Sequence, residues 1–555
     1  MNYTVDYTGL DVAHSRFGWR LSDRTAIVIL AIYFTIVFNL TLWSYLLENF
    51  DISGAATFFA ILSFPIIVFC VKCIIFSVVV LPYIFKPLTI LLLLISACVN
   101  YFSVKYGVII DADMVRNTVE TNVGEAFDLI TPSLAVWFVI SGVLPSLIVA
   151  RVTIVYPSAK KVALQRIIYL FSAIVLALVL AGVNYKTYSF FGRNHGQIRR
   201  FVVPENYLYA VPRYFYLTAQ ANRPFVNIDK EAEFKPYIDE EKTVIVLVLG
   251  ETARSDHFSL NGYDRPTNPL LERQADLISF KNVISAGTAT AISVPAIFSH
   301  RPKEGFSADE AKYSENVLDL IKQIGWNIIW LENDGGCKKV CDRVDSIVFD
   351  PKANDKLCDG DYCYDEIMLE DIETRFSNIE NHTFMVLHTI GSHGPTYYRR
   401  YPEQFKQFTP TCDTAELQNC DSANIVNTYD NTILYTDYIV NSVIETAQKF
   451  PQYETTVIYV SDHGESLGEN GIYLHGLPYS IAPKWQKHVP LLFWMNDNAK
   501  RNDHIDYECL RKSADRDLSH DNMFHTLVAL TEFDTTLYDE KLDFLANCRT
   551  EPLPR

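Results

Sequence analysis

Three clusters of chemically capable residues occur in one setting. Each follows a short run of β-branched and aliphatic residues. Thr243–Leu249 leads into Gly250-Glu251-Thr252, and Phe384–His388 into Thr389-Ile390-Gly391-Ser392-His393-Gly394-Pro395. Thr456–Val460 leads into Ser461-Asp462-His463-Gly464-Glu465. Carboxylate oxygens and imidazole nitrogens together form a donor set that suits zinc. One such residue after a strand is ordinarily a cap or a surface group. Three clusters in the same position point to a metal site. A further segment, Ala286–Pro295, is built of small residues that run into a helix start, and it carries hydroxyls at Thr288, Thr290 and Ser293. A hydroxyl beside a metal gives up its proton more readily, and a helix N-terminus favours a phosphate next to it. Residue type and spacing leave all three hydroxyls open as the nucleophile, with a plain helix cap as the alternative.

These clusters need elements to carry them. The runs before them, together with Asn327–Leu331, are almost entirely apolar and read as strands buried on both faces. Helical patterns such as Val317–Ile324 and Tyr435–Phe450 separate the strands. Strands alternating with helices predict a mostly parallel α/β sheet. Ligands of such sheets sit beyond the carboxyl ends of the strands, so the three clusters are expected along one edge. No internal repeat or low-complexity tract is evident.

The chain has 555 residues, with 48 Lys plus Arg against 65 Asp plus Glu, a net charge of −17. That balance excludes a general nucleic-acid binder, and 49% hydrophobic residues exclude intrinsic disorder. About 20 apolar residues cross a bilayer. Five runs meet that length: Thr25–Leu47, Ala55–Phe85 with Lys72 inside it, Leu88–Tyr106, Leu134–Ile154 and Val162–Val183. Asp6, Asp11 and Asp23 ahead of the first run fit an uncleaved anchor rather than a signal peptide. Arg16, Arg20, Arg24, Lys86, Arg151, Lys160, Lys161 and Arg166 flank the expected cytoplasmic side, whereas the loop near Glu48 and Asp51 lacks Lys and Arg. Everything after about residue 185 is then outside. The expected organisation is a transmembrane domain of five helices over 1–185, a connector over 186–240 and an α/β domain over 241–555. Of eleven cysteines, Cys70, Cys73 and Cys98 fall in the apolar runs. The remainder lie beyond, and an even set outside the cytoplasm suggests disulfides. The expected pairs are Cys337–Cys341, Cys358–Cys363, Cys412–Cys420 and Cys509–Cys548.

Longer motifs carry a resemblance. GETARSDHFSLNGYDRPTNP from Gly250, GTATAISVP from Gly287, NDGGCKKVCDR from Asn333, LHTIGSHGPTYYRRYP from Leu387, FTPTCDT from Phe408, NTYDNTILYTDY from Asn427 and SDHGESLGENGIYLHGLPY from Ser461 resemble the phosphoethanolamine transferases of Gram-negative bacteria. The lipid A enzymes, which include mobile colistin-resistance proteins, are the most similar group. The resemblance runs nearly end to end, including the stretch around Lys105-Tyr106-Gly107 and Asn117.

The resemblance implies an alkaline-phosphatase-like or sulfatase-like α/β domain in the periplasm, carried by five helices in the inner membrane with a cytoplasmic N-terminus. It places zinc ligands on Glu251, Thr290, Asp462 and His463, with Thr290 as nucleophile. Phosphatidylethanolamine would be the donor and lipid A the acceptor, through a covalent phosphoethanolamine-threonine, in an enzyme acting as a monomer among membrane lipids. Lys338, His393, Glu465 and His475 match positions associated with substrate or a second metal. Asn117, Thr121 and Glu125 match substrate contacts of the membrane half, and their spacing of four would put them on one helix face. Relatives carry a cysteine pair where this chain has Ala286 and Ala296. Alternative acceptors are a core sugar, a periplasmic glucan or a protein. A sulfatase is disfavoured because no Cys-x-Pro-x-Arg motif occurs.

Overall fold

In the computed structural model the described residues are 19–49, 55–121, 123–185, 187–188, 191, 196–221, 224–229, 241–354 and 356–551. Asp6, Asp11, Arg16 and Asp51 lie outside them. The chain divides into two compact units. One comprises Met1–Ala112 and Ile130–Pro212; the other comprises Asp113–Leu129 and Arg213–Arg555.

The first unit is helical: α1 (Asp23–Val37), α2 (Leu40–Asn49), α3 (Ala55–Val79), α4 (Phe85–Tyr106), a helix over Pro132–Arg151 and another over Ala159–Val183. Among the described residues, four helices are long and apolar enough to cross a membrane, and α1 with α2 form a fifth candidate bent by 55°. The bend corrects the expectation of one continuous first span. Asn39 sits at the break: its amide donates to the Phe34 and Val203 carbonyls and its oxygen accepts from the Val203 N–H. These bonds tie the break to the distant Val203 backbone, with the Phe34 carbonyl accepting from both Asn39 and the Phe38 N–H. The second run ends at Val79 rather than Phe85, short of Pro82, which cannot donate to a continuing helix. Lys72, fully buried within α3, pairs with Glu205.

The second unit is built on an eight-stranded sheet. Its strands are β1 (Thr243–Gly250), β2 (Ile278–Ile284), β3 (Asn327–Glu332), β4 (Asp345–Val348), β5 (Thr383–His388), β6 (Glu454–Ser461), β7 (His488–Met495) and β8 (Asp517–Ser519). The order is β8-β2-β7-β6-β1-β5-β3-β4. All neighbours are parallel except around β7, which is antiparallel to β6 and β2. The chain returns from β6 to β7 through the loops that follow Ser461 rather than by a helical crossover. Antiparallel pairing is the geometry such a return permits.

The centre of the sheet is covered on both faces. Ile245, Leu247 and Leu249 enter one core cluster while Val244, Val246 and Val248 enter the other, all fully buried. Each such side chain contributes about 1.5–3 kcal/mol, which is why β1 is apolar throughout instead of alternating. Register then decides where the polar residues fall. Gly250 stands opposite Ser461, Leu249 opposite His388, and Glu332 opposite His388. Four strand ends are therefore level, and their next residues meet.

All four expected disulfides are present: Cys337–Cys341, Cys358–Cys363, Cys412–Cys420 and Cys509–Cys548. The last closes a separation of 39 residues, against 4 for the first. Loop-closure entropy gives about 4 kcal/mol for the long loop and about 2 kcal/mol for the short one. Replacing Cys509 and Cys548 together by Ala should therefore lower urea-denaturation stability by roughly twice as much as replacing Cys337 and Cys341. Equal losses would contradict this ranking.

Candidate active site

Glu251 follows β1 and Asp462-His463 follow β6. Thr290 opens the helix Thr290–Ile297. Glu251, Asp462 and His463 are fully buried and Thr290 is 6% exposed. The His463 Nε2 lies 3.4 Å from Glu251 Oε1 and 3.2 Å from Asp462 Oδ2. The Thr290 hydroxyl donates to Glu251 Oε2 at 3.1 Å, and its oxygen is 3.4 Å from His463 Nε2. Zinc bonds of about 2.0–2.1 Å in a tetrahedron put ligand atoms roughly 3.3 Å apart. The separations from His463 to Glu251, Asp462 and Thr290, and from Thr290 to Glu251, at 3.1–3.4 Å, match that spacing. Glu251 Oε1 and Asp462 Oδ2 are buried without hydrogen-bond partners, a costly state that a cation in their midst would relieve. The residues present thus fit the ion that their types predict.

The electrostatics agree. Burial, and then the neighbouring Asp462 and Asp334 carboxylates, push Glu251 well above the usual carboxylate range. Burial, and then His475, push His463 well below its ordinary value, which leaves a neutral imidazole, the ligating form.

The three hydroxyls left open by spacing are separated by geometry. Thr288 donates to the Leu477 carbonyl at 2.6 Å. Ser293 is fully buried inside the helix. Thr290 alone of the three reaches the carboxylate–imidazole cluster.

A second ring of groups borders the cluster. The His463 and His475 rings are 4.4 Å apart, and the His393 and His475 rings 5.3 Å. His475 Nδ1 lies 3.4 Å from Glu465 Oε2. Burial, and then the His475 ring, keep His393 well below its ordinary value; burial raises Glu465. Lys338 takes a positive φ of 50° and donates to the Gly335 carbonyl. Asn117 and Thr121 belong to the same compact unit. The three residues Asn117, Thr121 and Glu125 do not share one helix, however. α5 (Ala112–Glu120) ends before Thr121, and α6 (Val123–Asp128) begins after it. The Thr121 hydroxyl donates to the Asn117 carbonyl alongside its own backbone N–H. The Glu125 side chain is outside the described residues.

Several supporting residues escaped the sequence reading. Asp365 accepts from the Ile390 and Gly391 N–H groups at 2.9 and 3.0 Å and so holds the loop carrying His393. Burial raises it to about 6. A Cβ on Gly391 would come within 2.7 Å of the Glu251 carbonyl, and φ there is +50°. Thr252 holds a left-handed φ of 53°, rare for a β-branched residue. Asp462 Oδ1 accepts its N–H, and Tyr429 donates to its carbonyl. Strain of this kind, about 1–3 kcal/mol, persists where surroundings over-determine it. A further buried group follows β3. Glu332 accepts from the His388 ring at 2.9 Å, and Asp334 lies 3.7 Å from its other nitrogen. Burial opposes the charged imidazole, but Glu332 outweighs it and raises His388 to about 9. The signal was available: β3 leads into Glu332-Asn333-Asp334 just as the other strands lead into carboxylates and imidazoles.

A hydroxyl, carboxylates and an imidazole gathered at the carboxyl edge of this sheet make an arrangement suited to metal-assisted phosphoryl or sulfuryl transfer. The sulfatase family model matches residues 243–533, and the model of phosphoethanolamine transferases EptA/EptB matches residues 67–219. The phosphoethanolamine transferase EptA of Escherichia coli K12 is 39% identical over 528 residues, covering 94% of this chain and 96% of that protein. The phosphatidylethanolamine transferase Mcr-1 of Escherichia coli is 34% identical over 538 residues, 94% and 97% of the two chains. The solved integral membrane lipooligosaccharide phosphoethanolamine transferase A of Neisseria meningitidis superposes with a TM-score of 0.92 at 36% identity, covering 96% of this chain and 99% of that one. The chain belongs to the phosphoethanolamine transferase family.

Proposed function

We propose that the protein moves phosphoethanolamine from phosphatidylethanolamine to a phosphate of lipid A, through a covalent intermediate on Thr290. The observation that carries this reading is the Thr290 hydroxyl held 3.1 Å from Glu251 and 3.4 Å from His463 inside a buried ligand set. The names of its relatives supply the transferred group: phosphoethanolamine in EptA, with Kdo(2)-lipid A as acceptor in a transferase 25% identical to this chain.

Glu251, Thr290, Asp462 and His463 would hold zinc, which when bound supplies a Lewis acid that acidifies the Thr290 hydroxyl and offsets the charge of a phosphodiester. In the first half-reaction a bond forms between Thr290 Oγ and phosphorus, and the bond from phosphorus to the glycerol oxygen breaks. Diacylglycerol leaves with the proton that Thr290 gave up. In the second half-reaction a lipid A phosphate oxygen attacks the same phosphorus and Thr290 Oγ departs, recovering a proton. His475, beside Glu465, and His393 are assigned to carry these protons. Lys338 is assigned to the phosphate oxygens, and Asn117, Thr121 and Glu125 to the lipid headgroups.

The chain is read as an inner-membrane protein with a cytoplasmic N-terminus, membrane helices over 1–185, a connector over 186–240 and a periplasmic catalytic domain over 241–555. One interface then confines enzyme, donor and acceptor, which raises their effective concentration. Mass spectrometry of lipid A from cells with and without the protein tests the assignment. Added phosphoethanolamine that depends on the protein is expected. Unmodified lipid A, with the group found instead on core sugar, glucan or protein, would move the acceptor.

A further inference from the structure

α5 and α6 lie between two membrane helices in the sequence, yet they belong to the same compact unit as the sheet. Ion pairs hold them there. Arg116 is 4% exposed and donates to Asp309 at 2.5 Å and to Asp113 at 2.8 Å. One turn further on, Glu120 pairs with Lys312. The signs alternate: cation on anion, then anion on cation. A slip of one turn would bring like charges together, so the pairs fix register as well as contact.

At the other end Asp128 accepts from Arg399 at 2.9 Å and from the Thr396 hydroxyl at 2.8 Å. It also faces Arg400 at 3.5 Å. Arg400 is 1% exposed, lies over the Tyr362 ring, and donates from Nε to the His393 carbonyl at 2.9 Å and from Nη2 to Thr396. At the first end the segment also passes Gly476, the residue after His475. A Cβ there would stand 2.9 Å from Met114 Cε and 3.9 Å from Asn117 Nδ2.

We propose that Asp113–Leu129 is a strap clamped onto the α/β unit, and that Asp128 acts through Arg400 as a positioning residue for His393. Asp128 touches no reacting group. It supplies a carboxylate to a buried guanidinium that would otherwise be poorly compensated, and that guanidinium holds the His393 backbone. Removing one partner of such a pair costs more than the pair itself contributes. The proposal rests on the reading of His393 as a member of the active site.

The test uses the full-length protein in detergent, with phosphatidylethanolamine as donor and purified lipid A as acceptor. Asp128→Asn should lower kcat by about 10–100-fold, the range typical of residues supporting a ligand or catalytic group from behind. KM for the donor should stay within about twofold, and bound zinc should be unchanged. Asp128→Glu, which restores the carboxylate, should recover much of the loss. The double variant Asp128→Asn/Arg400→Gln should lose little more than Arg400→Gln alone, since both act on one link. Lys449→Met, which removes an exposed pair with Glu373, serves as a control with unchanged kcat. Wild-type kcat in Asp128→Asn, additive losses in the double variant, or loss of zinc along with activity would each overturn the strap. An inactive wild-type protein would instead overturn the transferase reading.

Discussion

Thr290→Ala is expected to reduce phosphoethanolamine transfer by on the order of 10⁴-fold or more, the scale seen when a covalent nucleophile is removed. The protein should still fold, insert and retain its four disulfides. The side chain is small, lies at the first turn of its helix, and is 6% exposed, so truncation removes little packing. Thr288→Ala is the informative partner. Its hydroxyl donates to the Leu477 carbonyl at 2.6 Å, which ties the nucleophile loop to the segment carrying His475. Losing one hydrogen bond costs about 1 kcal/mol, or somewhat more when a buried acceptor is left alone. Thr288→Ala should therefore keep appreciable activity with modestly reduced stability. Steady-state assays of both variants check the pair, and equal losses would contradict the assignment.

The second large effect concerns the ligands. Asp462→Ala and His463→Ala should each lose bound zinc and transfer activity together. His463 Nε2 lies 3.4 Å from Glu251 and 3.2 Å from Asp462, and all three residues are fully buried. Removing one leaves two ligating groups plus a hydroxyl, too few for a tight tetrahedral site. Metal analysis after dialysis, alongside activity, reads both at once; an active variant without metal would contradict the account. The pH dependence has a defined sign. Without metal, burial and the adjacent carboxylates raise Glu251, so binding displaces a proton. Apparent zinc affinity should increase as pH rises and fall as pH is lowered, measured by competition with a chelator. An affinity that improves on acidification would contradict the ligand set.

Much of this site was legible because the strands that carry it are buried on both faces. The runs in β1, β3, β5 and β6 are short and largely apolar, so the strands could be read directly, and with β1, β5 and β6 the carboxylates and imidazoles that follow them. β2 and β7 were not. β2 exposes Lys281, Asn282 and Ile284, which blurs its pattern, and β7 contains Pro490. The register with β2 shifts between Val489 and Leu491, the kind of irregularity where a strand tolerates proline. The helix α7 (Ser422–Gln448) was read only over its second half. Its first half buries Asn427, Thr428, Asp430, Asn431 and Thr432 around a narrow apolar stripe of Ile425, Tyr429 and Ile433, so polar residues crowd the pattern there. Those groups hold loops instead. Asp430 accepts from Tyr263 and Arg265 and faces His257, Asn431 accepts from the Gln407 and Phe408 N–H groups, and Thr432 donates to Ser392. The break between Asn117 and Glu125 was hidden for a related reason: regular spacing in the sequence is not evidence of a continuous helix.

The central claim is that the transferred group rests on Thr290. The direct measurement incubates purified wild-type protein with phosphatidylethanolamine in the absence of acceptor, followed by proteolysis and mass spectrometry of the peptide spanning residues 286–298. The account predicts phosphoethanolamine on Thr290, its release when lipid A is added, and no adduct in Thr290→Ala. An adduct on Thr288 or Ser293, or full turnover by Thr290→Ala, would contradict it.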